Sequence, residues 1–141
     1  MTLSVSSFSA RLRLAPLALA SLVLAGCAAF GPATPEKQVQ QRATEYWKAR
    51  VAAQYEKAYA LSTPSYRKLR TAEQFKLAFG AGANIQAAEV VKVNCEPEKC
   101  TAQMKLSVKP MIIGLNLSTI DTFVDETWLL EDGQWWHHQD L

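Results

Sequence analysis

The chain has 141 residues, 49% of them hydrophobic, and a formal net charge of +2 that Arg11 and Arg13 account for entirely. Beyond residue 26 the basic and acidic side chains balance, so a nucleic-acid role lacks its electrostatic footprint. The stretch after a removable leader has the length of one domain with one core, not two.

The leader is legible at the N-terminus. Arg11 and Arg13 precede an apolar run from Leu14 to Leu24, broken by Pro16 and Ser21, which gives way to small Ala25 and Gly26. That run is too short to cross a bilayer and ends in a cleavage-site pattern, so it reads as a secretory signal. Leu24-Ala25-Gly26-Cys27 resembles the lipobox of bacterial lipoproteins. The resemblance implies removal of residues 1–26, a diacylglyceryl group on the Cys27 sulfur and an N-acyl chain on its new amino group. No other apolar stretch approaches a membrane span, so attachment would rest on lipid, and two or more chains anchor stably at about 0.8 kcal/mol per buried methylene. Ala28 after the cysteine resembles the enteric outer-membrane sorting pattern, which puts the protein in the envelope, lipid-anchored and facing the periplasm.

With Cys27 given to lipid, Cys95 and Cys100 remain, and an oxidising compartment favours their pairing. The turn-like Glu96-Pro97-Glu98-Lys99 between them makes the bond a staple at the mouth of a hairpin. Their spacing does not match a zinc knuckle, and no metal or other cofactor is expected.

Residues 27–34 read as the lipidated tether and 35–141 as a single α+β domain. Thr34-Pro35-Glu36 combines a cap, a first-turn proline and a first-turn acid. Val39, Ala43, Tyr46, Trp47 and Val51 then recur at helical spacing, and a stripe of this period reads first as packing. After a break at residues 52–54 the period resumes with Tyr55, Ala58, Tyr59 and Leu61. Thr63-Pro64 caps a turn carrying Tyr66 and Leu69, and Thr71-Ala72-Glu73-Gln74 forms a capping box before Phe75, Leu77, Ala78 and Phe79. Gly80 and Gly82 end that helix. Arg67, Lys68 and Arg70 read as a solvated basic face.

From Ile85 the period becomes two. Ile85, Ala87, Val91 and Val93 are expected on one face of a strand, and Ala102, Met104, Leu106 and Val108 on one face of the next. Pro110 to Ser118, apolar but interrupted by Pro110 and Gly114, reads as a flap. Asp132-Gly133 is a two-residue turn that pairs Leu130 with Trp135, Trp128 with His137 and Glu126 with Gln139. It puts Val124, Trp128, Leu130 and Trp135 on the core face. Phe123, Leu129 and Trp136 fall on the opposite face, either as a homodimer seam or with Trp136 under the tether or the 110–118 segment.

Trp47, Tyr55-Glu56-Lys57-Ala58-Tyr59, Ser62-Thr63-Pro64-Ser65-Tyr66-Arg67, the hairpin cysteines and Glu131-Asp132-Gly133-Gln134-Trp135-Trp136 resemble small bacterial proteins of the nuclear transport factor two-like, cystatin-like fold. The resemblance implies N-terminal helices packed in a curved antiparallel sheet that closes into a cone with a cavity. Relatives often carry Gly-Asp just before the Tyr-Glu-Lys-Ala-Tyr run, where this chain has Ala53-Gln54.

Tyr46, Trp47, Tyr59, Val124, Glu126, Trp128, Trp135 and His137 are the expected cavity lining. No residue is assigned a catalytic role, because the sequence lacks a nucleophile elbow, phosphate loop, zinc motif or free mature cysteine. The domain therefore reads as a non-catalytic module that binds an apolar small molecule, an envelope protein or its own twin. One alternative is an isomerase- or dehydratase-like enzyme using Glu126 as base beside His137. Against it, the register puts Glu126 near the open end of the hairpin, where water reaches it and the pair becomes a rim contact. Another is a purely structural envelope lipoprotein.

Overall fold

The computed structural model describes residues 33–79, 84–110 and 117–140. Cys27, the expected leader, the expected tether as far as residue 32, the glycines at 80 and 82 and most of the expected flap lie outside the described residues. What is described is α+β, with four helices followed by four strands: α1 Pro35–Val51, α2 Tyr55–Ala60, α3 Pro64–Leu69, α4 Ala72–Phe79, β1 Ile85–Cys95, β2 Lys99–Val108, β3 Ile120–Glu131 and β4 Gln134–His137. The strands form one antiparallel meander in the order β1-β2-β3-β4.

Three of the four helices begin where their cap chemistry says, and α2 starts without a side-chain cap. Thr34 Oγ1 accepts from Lys37 N at 3.4 Å ahead of Pro35, and Thr63 Oγ1 accepts from Tyr66 N at 3.2 Å ahead of Pro64. The capping box at α4 is reciprocal: Thr71 N donates to Gln74 Oε1 at 2.9 Å and Gln74 N to Thr71 Oγ1 at 3.2 Å. The end of α1 has a specific cause. Gln54 N reaches back to Ala49 O and Ala53 N to Arg50 O, the two bonds of a Schellman stop, with Ala53 at φ 56° in the left-handed region. Ala53 thus holds a position whose positive φ favours glycine.

The core lies between α1 and the sheet, with Val39, Ala43 and Tyr46 packed among Ala102, Met104, Leu106, Trp128 and Trp135. In β2 the alternation holds as expected. In β1 it does not: register shifts between Ile85 and Ala87 and between Val90 and Lys92 add unpaired residues, and each one moves the following side chains to the other face. Ala88, Val90 and Val93 therefore pack inward, while Ala87 and Val91, expected inside, are exposed. Leu130 is also corrected. It pairs with Trp135, but at the hairpin tip it remains 36% exposed. Leu69 and Leu77 are exposed as well, because helices of six and eight residues bury only one narrow side.

Two hairpins set the sheet register. Cys95 and Cys100 are direct cross-strand partners joined by a disulfide, with Glu96 N donating to Lys99 O inside the turn. Asp132 and Gly133, at φ 52° and 73°, form the two-residue turn whose twist matches paired strands. Edge strand β4 is covered by the link between α2 and α3: His137 N donates to Leu61 O at 2.9 Å and Thr63 N to His137 O at 3.0 Å. This clamp fixes the backbone of His137, which carries the site chemistry.

Candidate functional site

A cleft of about 500 Å³ opens between α1, the end of α4, the middle of β3 and the end of β4 with the residues that follow it. Tyr46, Trp47, Val124, Glu126 and His137 line it, as the sequence suggests. Three expected lining residues do not. Trp128 and Trp135 are buried in the core beneath it. Tyr59 turns away, its ring 5.9 Å from Phe75 and its hydroxyl donating to Arg70 O at 2.7 Å. Arg50, Phe79, Leu106 and Gln139 complete the wall instead. Arg50 follows Tyr46 and Trp47 at helical spacing of four and three, so the face was readable even though the residue was not picked out.

Glu126 is the centre of this site. It does not sit at a wet rim: its residue exposure is 9%, because the Trp47 indole and the His137 ring close over it. Its Oε1 accepts from Trp47 Nε1 at 2.7 Å and meets His137 Nε2 at 3.3 Å. The second carboxylate oxygen, Oε2, is buried with no partner among the described residues, as are His137 Nδ1 and Gln139 Oε1. With the imidazole proton assigned to the nitrogen facing the carboxylate, Nδ1 is an acceptor, so these three atoms accept, whereas Arg50 Nε, also buried without a partner among the described residues, donates. Leaving such atoms unpaired costs about 1–3 kcal/mol each.

Aromatic packing holds the polar groups in place. The Tyr46 ring stacks on His137 with centroids 4.2 Å apart, and Trp128 meets both rings edge-on. Gln139 Nε2 donates to the Tyr46 hydroxyl at 3.3 Å, although the β3–β4 ladder stops at Trp128 and His137 and does not reach the expected Glu126–Gln139 pair. Burial pushes the Tyr46 hydroxyl up to about 12, and the Glu126 charge adds to the rise while Arg50 and Gln139 oppose it. Tyr46 is therefore a neutral hydroxyl at any physiological pH. The Arg50 guanidinium lies over Trp47 at 4.5 Å and donates to Phe79 O at 3.1 Å, closing one side of the cleft with a cation held on aromatic faces.

Among the described residues no three His, Cys, Asp or Glu side chains converge as metal ligands. Chemically the arrangement can accept hydrogen bonds from a molecule with an apolar body, or move a proton between a carboxylate and an imidazole.

No protein-family model and no curated protein matches the chain. Among solved structures it is similar to the solution structure of RPA3114, a SEC-C motif containing protein from Rhodopseudomonas palustris. The likeness has a TM-score of 0.54 at 12% identity and covers 75% of this chain and 76% of that one. At that identity it speaks to the fold alone.

Proposed function

We propose that this protein is a lipid-anchored envelope lipoprotein whose single domain, a nuclear transport factor two-like cone, binds a small molecule in the Glu126 cleft. One observation carries the binding reading: among the side chains that line one cleft, a carboxylate, an imidazole and an amide each keep a buried unpartnered acceptor, and Arg50 keeps a buried unpartnered donor. Packed cores pair their polar atoms, so this concentration suits a ligand that brings donors and an acceptor to them. The ligand class is a molecule with hydroxyl, amide or amine N–H and O–H groups on an apolar frame, the frame resting on Trp47, Phe79 and Leu106. The lipid anchor rests on the lipobox resemblance at Cys27, and Cys27→Ser tests it by leaving uncleaved or released protein. For the cleft, a thermal-shift screen of small amines, amides and polyols compares the parent with Glu126→Gln. The reading expects compounds that stabilise the parent alone; equal shifts in both proteins would remove Glu126 from the account.

The 3.3 Å contact between Glu126 and His137 favours a second reading, acid–base chemistry of the isomerase or dehydratase kind. A general base contributes roughly 10²- to 10⁴-fold in rate, so Glu126→Gln would abolish turnover of any compound the screen finds to be converted. Ligands recovered unchanged would leave binding as the function.

A further inference from the structure

On the other side of β4 from His137, two cations are held against one indole. Trp136 donates from Nε1 to Glu131 O at 3.0 Å, which fixes its ring. The Arg42 guanidinium, from α1, lies 4.7 Å from the ring centroid, and the Arg67 guanidinium, from α3, lies 4.9 Å from it. Trp136 is thus covered by arginines, and Arg67 is half-buried in this contact instead of lying on a freely solvated basic face.

Neither guanidinium is in an ion pair among the described residues, although the Glu45 carboxylate acts on Arg42 from the same helix. The acid–base contacts among the described residues join Lys105 to Asp121, His137 to Glu126 and His138 to Asp140. Arg67 spends its Nε on Ser62 O at 3.1 Å, while the Nε of Arg42 is buried with no partner among the described residues. Burial, and then the charge of Arg67, lower the Arg42 pKa against the opposing pull of Glu45. Stacking occupies the faces of a guanidinium and leaves its N–H groups in the guanidinium plane, where the Nη groups of both arginines carry no hydrogen bond among the described residues. Two such edges, pre-ordered on one ring and mutually repelling, match a group with several oxygens and a negative charge.

We infer that Arg42 and Arg67, held on Trp136, form a binding site for a phosphate group. A phosphate would take charge-assisted hydrogen bonds from both edges and relieve the repulsion between them. The same chemistry is offered by a phospholipid headgroup and by a soluble phosphate ester, and the site is independent of the cleft because Trp136 and His137 point to opposite sides of β4.

The test uses the whole chain carrying Cys27→Ser, so that lipid attachment plays no part. Two-dimensional NMR follows the Trp136 indole N–H and the arginine Nε–H signals as inorganic phosphate is added at low ionic strength. A saturable shift is expected, weakened about tenfold or more in Arg42→Gln and in Arg67→Gln and unchanged in Lys48→Gln. In parallel, the same proteins are sedimented with phosphatidylcholine vesicles with and without phosphatidylglycerol. Arginine-dependent capture on the anionic vesicles assigns the site to lipid headgroups, and a phosphate shift without capture assigns it to a soluble phosphate. Absence of both, or responses equal in the arginine variants and the parent, overturns the site. If Arg67→Gln disturbs the Trp47 and Trp128 indole signals, and so the fold, Arg42→Gln alone decides.

Discussion

Trp47 and Glu126 lie 79 positions apart and are joined by a 2.7 Å hydrogen bond that ties α1 to β3 inside the domain. The bond is charge-assisted and buried, and the indole has no other polar atom to offer. Trp47→Phe therefore leaves the carboxylate with only the longer His137 contact, and Glu126→Gln removes its charge. A double-substitution cycle measured by urea unfolding should return a coupling of about 1.5–3 kcal/mol, the range for hydrogen bonds to charged groups. A coupling near zero would mean that water serves both groups equally well.

Ala53→Gly should stabilise the domain by about 1 kcal/mol. Ala53 holds a left-handed φ of 56° at the stop of α1, where an L side chain is strained and glycine is not. Thermal unfolding of the two proteins decides it, and a loss of stability would mean that the added chain entropy of glycine outweighs the relief.

Reducing the Cys95–Cys100 disulfide should lower stability by about 2 kcal/mol without unfolding the domain, because the closed loop is short. Labelling of native protein should find both thiols blocked before reduction. Full labelling without reductant would remove the staple.

Tyr46 makes alkaline stability diagnostic. Its hydroxyl is raised from 10 to about 12 in the fold, so below pH 10 both states keep the proton and its contribution is complete. Between pH 10 and 12 the unfolded chain ionises first, and about 3 kcal/mol is lost as pH rises through the folded value. In Tyr46→Phe this alkaline decline should flatten, and the last tyrosinate step in an ultraviolet absorbance titration should disappear.

Much of this fold was legible because its signals are local. Thr34-Pro35, Thr63-Pro64 and the Thr71–Gln74 box mark helix starts through bonds made within one turn, and Asp132-Gly133 fixes a hairpin register by backbone geometry alone. The inward face of β1 was not legible, since bulges at positions such as Val91 depend on how β2 pairs with it. The site divides in the same way. The register correctly put Glu126 and His137 on one face, but the depth of Glu126 comes from Trp47 on a distant helix, and no local pattern announces that cover. Arg67 reads as solvated in the sequence for the same reason: it and Arg42 meet the Trp136 ring only after α1, α3 and β4 assemble.

The central claim is that the Glu126 cleft holds a small molecule, and native mass spectrometry of protein purified from its own cells tests it most directly. The parent should carry an added mass that denaturation releases, and a folded Glu126→Gln protein should lack it. A parent that is bare under gentle conditions, or an adduct retained equally by Glu126→Gln, would contradict the account.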